Sequence, residues 1–298
     1  MHTTGRLHSI TNIGYEAFFS CTSLANITIP HSVTNIGSYA FAYCTSLTAI
    51  TVDTNNPVYT NVAGVLFDQS QTTLIQCPGG KAGNYTVPNS ATSIGGGAFW
   101  GCTSLTNITI PNSITNIGGL AFSSCTSLTN IKIPNSLATI ASGALEDCTS
   151  LTSITIPKSV TSIGTDAFSG CAKLTGVYFN GNAPSGGSDS SVFRGDNNAT
   201  VYYLPGTTGW GTTFGGLPTK LWNPQIQANS ATFGVRTNRF GFTITGTSGL
   251  VIVVEACPNL TNPVWQPIRT NTLTGGSSYF SDPQWTNYPS RFYRLRSP

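Results

Sequence analysis

Charge is what this sequence has least of. Only 8% of its 298 residues are Asp, Glu, Lys or Arg, against the quarter or so usual in a soluble domain. The net charge is +3, and it is unevenly placed: residues 1–190 are net −2 and residues 191–298 net +5. Neither part holds a run of basic residues, which removes the electrostatic footprint of a nucleic-acid binder. No stretch of about 18 apolar residues occurs, so there is no candidate for a transmembrane helix. The opening "MHTTGRLHSITNIGYEAFF" lacks the apolar segment and small-residue cleavage site of a signal peptide. It reads as a mature end, an expression boundary or a fragment.

Histidine is nearly absent as well. The three that exist, His2, His8 and His31, lie near the N-terminus, away from any Ser or Cys that one of them could activate. Eight cysteines are present, but no two are closer than 23 residues and none forms C-x-x-C, so no zinc site is expected. Glu146-Asp147 is the only adjacent pair of acids and reads as a solvated corner. Gly95-Gly96-Gly97 is not followed by Lys-Ser/Thr, so it is no phosphate loop. No catalytic residue, metal or cofactor is expected, and the chain reads as a non-enzyme.

Ser, Thr, Asn and Gly fill the place of the charges, in a phrase that recurs. Cys102-Thr-Ser-Leu-Thr-Asn-Ile returns as Cys125-Thr-Ser-Leu-Thr-Asn-Ile after 23 residues. Counting from Leu105, apolar residues stand at +3 and +5 (Ile108, Ile110) and proline at +6 (Pro111). Ile114 and Ile117 follow at +9 and +12, Gly118 at +13, Ala121-Phe122 at +16 and +17, and Cys125 at +20. The units from Leu24, Leu128 and Leu151 fill the same slots. A period of 23 lies in the range of leucine-rich repeats. The alternation up to +5 predicts a short strand with one buried face, ended by a proline that has no N–H for the ladder. The +13 glycine is replaced by Ala141 in one unit, which favours crowding over positive φ as its cause. No unit can bury its apolar residues alone; stacked coils bury them against one another.

Strands are expected at 24–29, 47–52, 84–87, 105–110, 128–133, 151–156 and 174–179. Residues 53–90 form one irregular coil, whose runs Val65-Leu-Phe67 and Leu74-Ile75 suggest a hairpin-like bulge. Six cysteines (21, 44, 102, 125, 148, 171) share the +20 slot and are expected as a ladder of buried, unoxidised thiols. After Phe179 the repeat fades. Residues 183–224 read as a cap and linker, with Phe193, Tyr202, Trp210 and Trp222 as plugs over the last coil. Residues 225–298 read as a small antiparallel β domain, with Trp265, Tyr279, Trp285, Tyr288, Phe292 and Tyr293 favoured as its packed core over a set of exposed sugar-binding rings.

The repeat phrase resembles the BspA-type (treponemal-type) leucine-rich repeat, "LTxITIPxSVTxIGxxAFxxCxS", over about residues 7–182. The resemblance implies a bacterial secreted or cell-surface protein engaged in adhesion. The fold class is therefore mainly β: a leucine-rich-repeat solenoid over 1–182 with a small C-terminal antiparallel β domain. Its exposed strand positions make a flat polar face, and the candidate binding residues are Asn26, Thr28, Thr51, Asn107, Thr109, Asn130, Lys132, Ser153, Thr155 and Tyr178. The expected partner is a protein or glycan on another cell or surface, or copies of the chain itself. A competing reading makes the stack a structural block. Its uncapped N-terminal edge, beginning near Leu7, would then assemble head to tail into a fibre or layer.

Overall fold

The structure, a computed structural model, describes residues 10–298; Leu7, His2 and His8 lie outside the described residues. The chain forms two compact units. One runs to Val201 and includes Thr208–Thr219, and the other comprises Tyr202–Thr207 and Lys220–Pro298. No α-helix occurs among the described residues.

The first unit is a solenoid in which each turn adds one 23-residue coil. The predicted strand slots are occupied by Asn26–Ile29, Ala49–Val52, Gly83–Thr86, Leu105–Thr109, Asn130–Ile131, Ser153–Ile156 and Gly176–Phe179. Parallel pairing joins residues one period apart, such as Asn26 with Ala49 and Ser153 with Gly176. A second row of two-residue strands, among them Asn35–Ile36, Asn116–Ile117 and Ser162–Ile163, fills the slots at +11 and +12. These are too short for their periodicity to mark them in the sequence. A third ladder follows, in which Phe99 N–H donates to Ala121 O and Phe122 N–H to Ala144 O. Successive regular coils thus meet along three lines of backbone hydrogen bonds, and hydroxyls reinforce them. Thr48 donates to Ala25 O, Thr129 to Thr106 O and Thr175 to Thr152 O. Uncharged side chains can make these upward bonds at low desolvation cost, which accounts for the composition.

Inside the coil, Leu, Ile, Ala, Phe and Cys form columns. Phe99 stacks on Phe122 at 5.1 Å and Phe168 on Phe193 at 5.2 Å, each buried ring contributing about 2–3 kcal/mol. The +13 glycines Gly37, Gly118 and Gly164 are crowded, as expected, while Gly14 in the first described coil has open space. Gly118 and Gly164 are absent from the positive-φ residues. A Cβ on Gly118 would come to 2.5 Å from Gly96 N, and one on Gly164 to 2.6 Å from Ser142 N. Positive φ falls instead at +15 and +19, where Leu120, Ser124, Asp147 and Asp166 all lie between 56° and 58°.

The irregular coil is not a bulge. Tyr59–Val62, Val65–Asp68 and Thr73–Gln76 form an antiparallel meander whose last strand pairs in parallel with Ser93–Ile94. Val65 and Phe67 face the main core while Leu66 faces the smaller N-terminal core. A strand buried on both faces needs a continuous apolar run, which is why Val-Leu-Phe does not alternate. Asn56 anchors the meander. Its Nδ2 donates to Pro30 O and Val33 O, and its Oδ1 accepts from Val58 N–H and Tyr59 N–H.

At the far end, Phe179 meets Trp210 at 4.9 Å and Phe214 at 5.2 Å. Phe193 and Phe214 are buried and Trp210 half-buried, so Phe214, which the sequence reading passed over, joins the plugs. Tyr202 and Trp222 belong to the second unit.

The second unit has two antiparallel sheets. Arg239–Thr245 pairs with Gln225–Ile226, Gly234–Arg236 and Ser277–Asp282 in one. Val251–Cys257 lies between Gln266–Thr272 and Phe292–Arg296 in the other. The core differs from expectation. Phe242 and Phe280 are buried and surround Tyr293 with Phe240, whereas Tyr279, Tyr288 and Phe292 are exposed and Trp265 and Trp285 only half-buried. Strand alternation is the reason: it turns Phe280 inward and its neighbour Tyr279 outward.

Candidate functional site

The strand face of the solenoid is polar and hydrogen-bonded along its length. Thr28 and Thr51 hydroxyls meet at 2.7 Å, and Thr48 donates to Asn26 Oδ1 at 3.0 Å. Further along, Asn84, Asn107 and Asn130 stand in register, as do Thr86 and Thr109. Asn26, Thr28, Thr51, Thr109, Asn130 and Lys132 are exposed, and Asn107, Ser153 and Thr155 half-buried. Lys132 is the one charge among them. The row offers hydroxyl and amide groups at coil spacing, about 4.8 Å apart, with donors and acceptors mixed.

Two corrections apply to this face. Tyr178 is buried, with 6% of its surface accessible. Its ring lies across Gly176, where an added Cβ would stand 2.7 Å from Tyr178 Cε2; the missing side chain leaves the space the ring occupies. The face is also divided. The meander's turn reaches the strand row, where Ile50 N–H donates to Gly64 O and Lys81 Nζ to Ala63 O. Asn26, Thr28 and Thr51 are therefore separated from Asn107, Thr109, Asn130, Lys132, Ser153 and Thr155.

The cysteine column turns its thiols into the core. Cys44 donates to Phe18 O at 3.0 Å, Cys125 to Phe99 O and Cys148 to Phe122 O at 3.2 Å. Burial pushes the Cys148 and Cys171 thiols well up from their ordinary value, so the reactive thiolate is suppressed. All eight cysteines are free, and Cys21, in the first described coil, alone is exposed. Cys77, which lies in the irregular coil, neighbours Cys102 and pushes its thiol pKa up through a side-chain hydrogen bond. Among the described residues no cluster of three or more His, Cys, Asp or Glu could hold a metal ion.

One feature of the third ladder escaped the sequence reading. Tyr15, Phe19, Tyr39, Tyr43 and Trp100 form an aromatic ridge. Tyr15 meets Tyr39 at 5.8 Å, Tyr39 meets Trp100 at 5.5 Å and Phe19 meets Trp100 at 5.2 Å, all edge-on. Tyr15 is 65% and Phe19 37% exposed. The irregular coil contributes nothing to the third ladder at this point, so Tyr43 N–H bonds directly to Trp100 O and brings distant rings together. Tyr39 and Tyr43 lie over Gly97 and Gly101, where a Cβ would approach Tyr39 Cε1 and Tyr43 Cα to 2.8 Å. The available signal was that aromatic residues occupy slots +14, +15, +18 and +19 here, where the coils from Leu105, Leu128 and Leu151 carry none.

Comparison with known proteins agrees with this architecture. A family model described as the BspA type leucine rich repeat region matches in six copies over residues 6–82 and 76–198. A leucine rich cell surface protein from Faecalibacterium prausnitzii A2-165 is 29% identical, with a TM-score of 0.60, over 68% of this chain and 55% of its own. The pneumococcal vaccine antigen PcpA shares the fold at 24% identity and a TM-score of 0.60, over 66% of this chain and 55% of its own. The chain thus spans little more than half the length of either. No curated protein matches it. With the repeat model covering well over half of its residues, the chain belongs to the BspA-type leucine-rich-repeat family.

Proposed function

We propose that this is a non-enzymatic, secreted or cell-surface binding protein. In this reading it engages a protein or glycan of another surface through the strand face. The observation that carries the proposal is the row of hydroxyl and amide groups formed by Asn107, Thr109, Asn130, Ser153 and Thr155, with the single charge of Lys132. Three backbone ladders hold these groups in fixed positions, so a partner pays little ordering entropy on the solenoid's side. The cell-surface setting is drawn from the named Faecalibacterium protein. Wild type and a Thr109→Arg/Asn130→Arg/Thr155→Arg variant would be screened on arrays of extracellular matrix proteins and glycans. The expected result is a ligand whose affinity falls at least roughly tenfold in the variant, with an unchanged melting temperature. Full retention of every ligand by the variant would refute the strand-face assignment.

A second reading rests on the exposure of Tyr15 and Phe19. Exposed aromatic groups at a ridge are common anchors of protein contacts. Loss of the same ligand on Tyr15→Ser/Phe19→Ser, with the strand-face variant unaffected, would move the contact to the ridge.

A further inference from the structure

The second unit carries a surface built from entirely different residues. Strand Gly234–Arg236 turns through Thr237 and Asn238, both at positive φ (47° and 61°), into Arg239–Thr245. This places Arg236 directly opposite Arg239. Like charges in that position oppose strand pairing, yet both are exposed, and neither has an ion pair among the described residues.

No Asp or Glu side chain of the unit is left to neutralise them. It holds seven Lys and Arg residues against two acids, a net of +5. Both acids are engaged: Glu255 with Arg294 and Arg296 at 2.7 and 2.6 Å, and Asp282 with Arg291 at 2.8 Å. Lys220, Arg236, Arg239 and Arg269 have no Asp or Glu side chain remaining in the unit.

Register decides what shares the face with the two arginines. Arg239, Gly241 and Thr243 alternate with the inward Phe240, Phe242 and Ile244, and Tyr279 and Ser281 stand opposite Thr243 and Gly241. Tyr279 is 44% exposed. Its phenol lies over Gly241, where an added Cβ would collide with it and stand 2.7 Å from Phe280 O. The glycine lets the ring lie along the sheet beside the arginines. The face therefore joins two uncompensated guanidiniums, one open aromatic ring and the hydroxyls of Thr243 and Ser281.

We propose that this face binds a carboxylated polysaccharide. Guanidinium forks match carboxylates with paired, charge-assisted hydrogen bonds. The Tyr279 ring offers an apolar surface to the C–H face of a sugar and a polar tip to its hydroxyls. A single ring and two arginines lack the row of stacking platforms and the cationic groove that single-stranded nucleic acid uses. The proposal stands apart from the solenoid reading, since none of its residues belongs to the strand face.

The test is calorimetric titration of the full chain with polygalacturonate oligosaccharides at low and physiological salt. Binding is expected that weakens with salt and is absent with neutral dextran. Arg236→Gln/Arg239→Gln should weaken it roughly tenfold or more, with a melting temperature equal to or above wild type because the repulsion is gone. Tyr279→Ala should weaken it as well, and Thr109→Arg/Asn130→Arg/Thr155→Arg should leave it intact. Equal binding by the double arginine variant, equal binding of dextran, or no polygalacturonate binding by wild type would each overturn the proposal. So would tighter binding of a single-stranded oligonucleotide or of phosphatidylglycerol vesicles that the same variants abolish.

Discussion

The thiol of Cys171 donates to the carbonyl oxygen of Leu145 at 3.2 Å, one coil back and 26 residues earlier in the chain. The same bond links Cys148 to Phe122 and Cys125 to Phe99. The +20 cysteine is therefore a small core residue that also satisfies a buried carbonyl. Native alkylation followed by mass spectrometry should label Cys21 and leave Cys44, Cys102, Cys125, Cys148 and Cys171 unmodified until denaturation. Cross-linked 102–125 or 148–171 peptides would contradict this. Cys148→Ala removes one of the two donors to Phe122 O and leaves Cys125 N–H at 3.2 Å, so it should cost about 0.5–1.5 kcal/mol in urea unfolding.

Two positions in the coil respond oppositely to glycine. Ser124 sits at φ 56°, where a side chain costs roughly 1 kcal/mol, so Ser124→Gly should raise stability by about that amount. Gly118 has ordinary φ but no room, so Gly118→Ala should lower stability, by about 1–3 kcal/mol. Chemical denaturation of both variants checks the pair of signs; a stabilising Gly118→Ala would show that the coils give way at this contact.

Asp196 stands beside Cys171 at the end of the cysteine column, buried, with the Cys171 backbone N–H as a weak compensation for the lost solvent. Burial raises its pKa to about 7. Because the folded value exceeds the unfolded one, the native state holds the proton more tightly. Stability is then fullest below about pH 4, falls between about pH 4 and 7, and levels off above. Solvent screening at the terminal coil limits the total to roughly 1–3 kcal/mol. Asp196→Asn should abolish this fall, matching wild type at pH 4 and exceeding it at pH 8. Parallel pH profiles for the two proteins would show that another group is responsible.

The aromatic ridge depends on the glycine beneath it. Gly97 has φ 64°, and a Cβ there would overlap the ring of Tyr39. Gly97→Ala should displace Tyr39 from Trp100, shift the Trp100 emission and cost about 1–3 kcal/mol. The reading needs a background in which Trp210, Trp222, Trp265 and Trp285 are Phe. An unchanged Trp100 spectrum there would mean the rings do not depend on Gly97.

The repeat was legible because its contacts are periodic. Leu105, Ile108, Gly118, Phe122 and Cys125 each meet their counterparts one period away, so one coil read correctly predicts its neighbours. Strand positions, the crowding at Gly118 and the antiparallel β character of the second unit followed from pattern alone. The candidate face was legible in part, since alternation marked Thr109 and Thr155 as outward but could not reveal that Tyr178 folds over Gly176.

Tertiary structure decided whatever broke the period. Only the fold puts Leu66 and Phe67 in two different cores, and only a ladder that bypasses the irregular coil brings Tyr43 to Trp100. The second unit has no period at all. There the register set by the Thr237-Asn238 turn aligned Arg236 with Arg239, and pairing with a strand some forty residues later laid Tyr279 over Gly241. Contacts at one fixed separation can be read from the chain; contacts whose separation is set by an insertion or a turn exist only once the strands have paired.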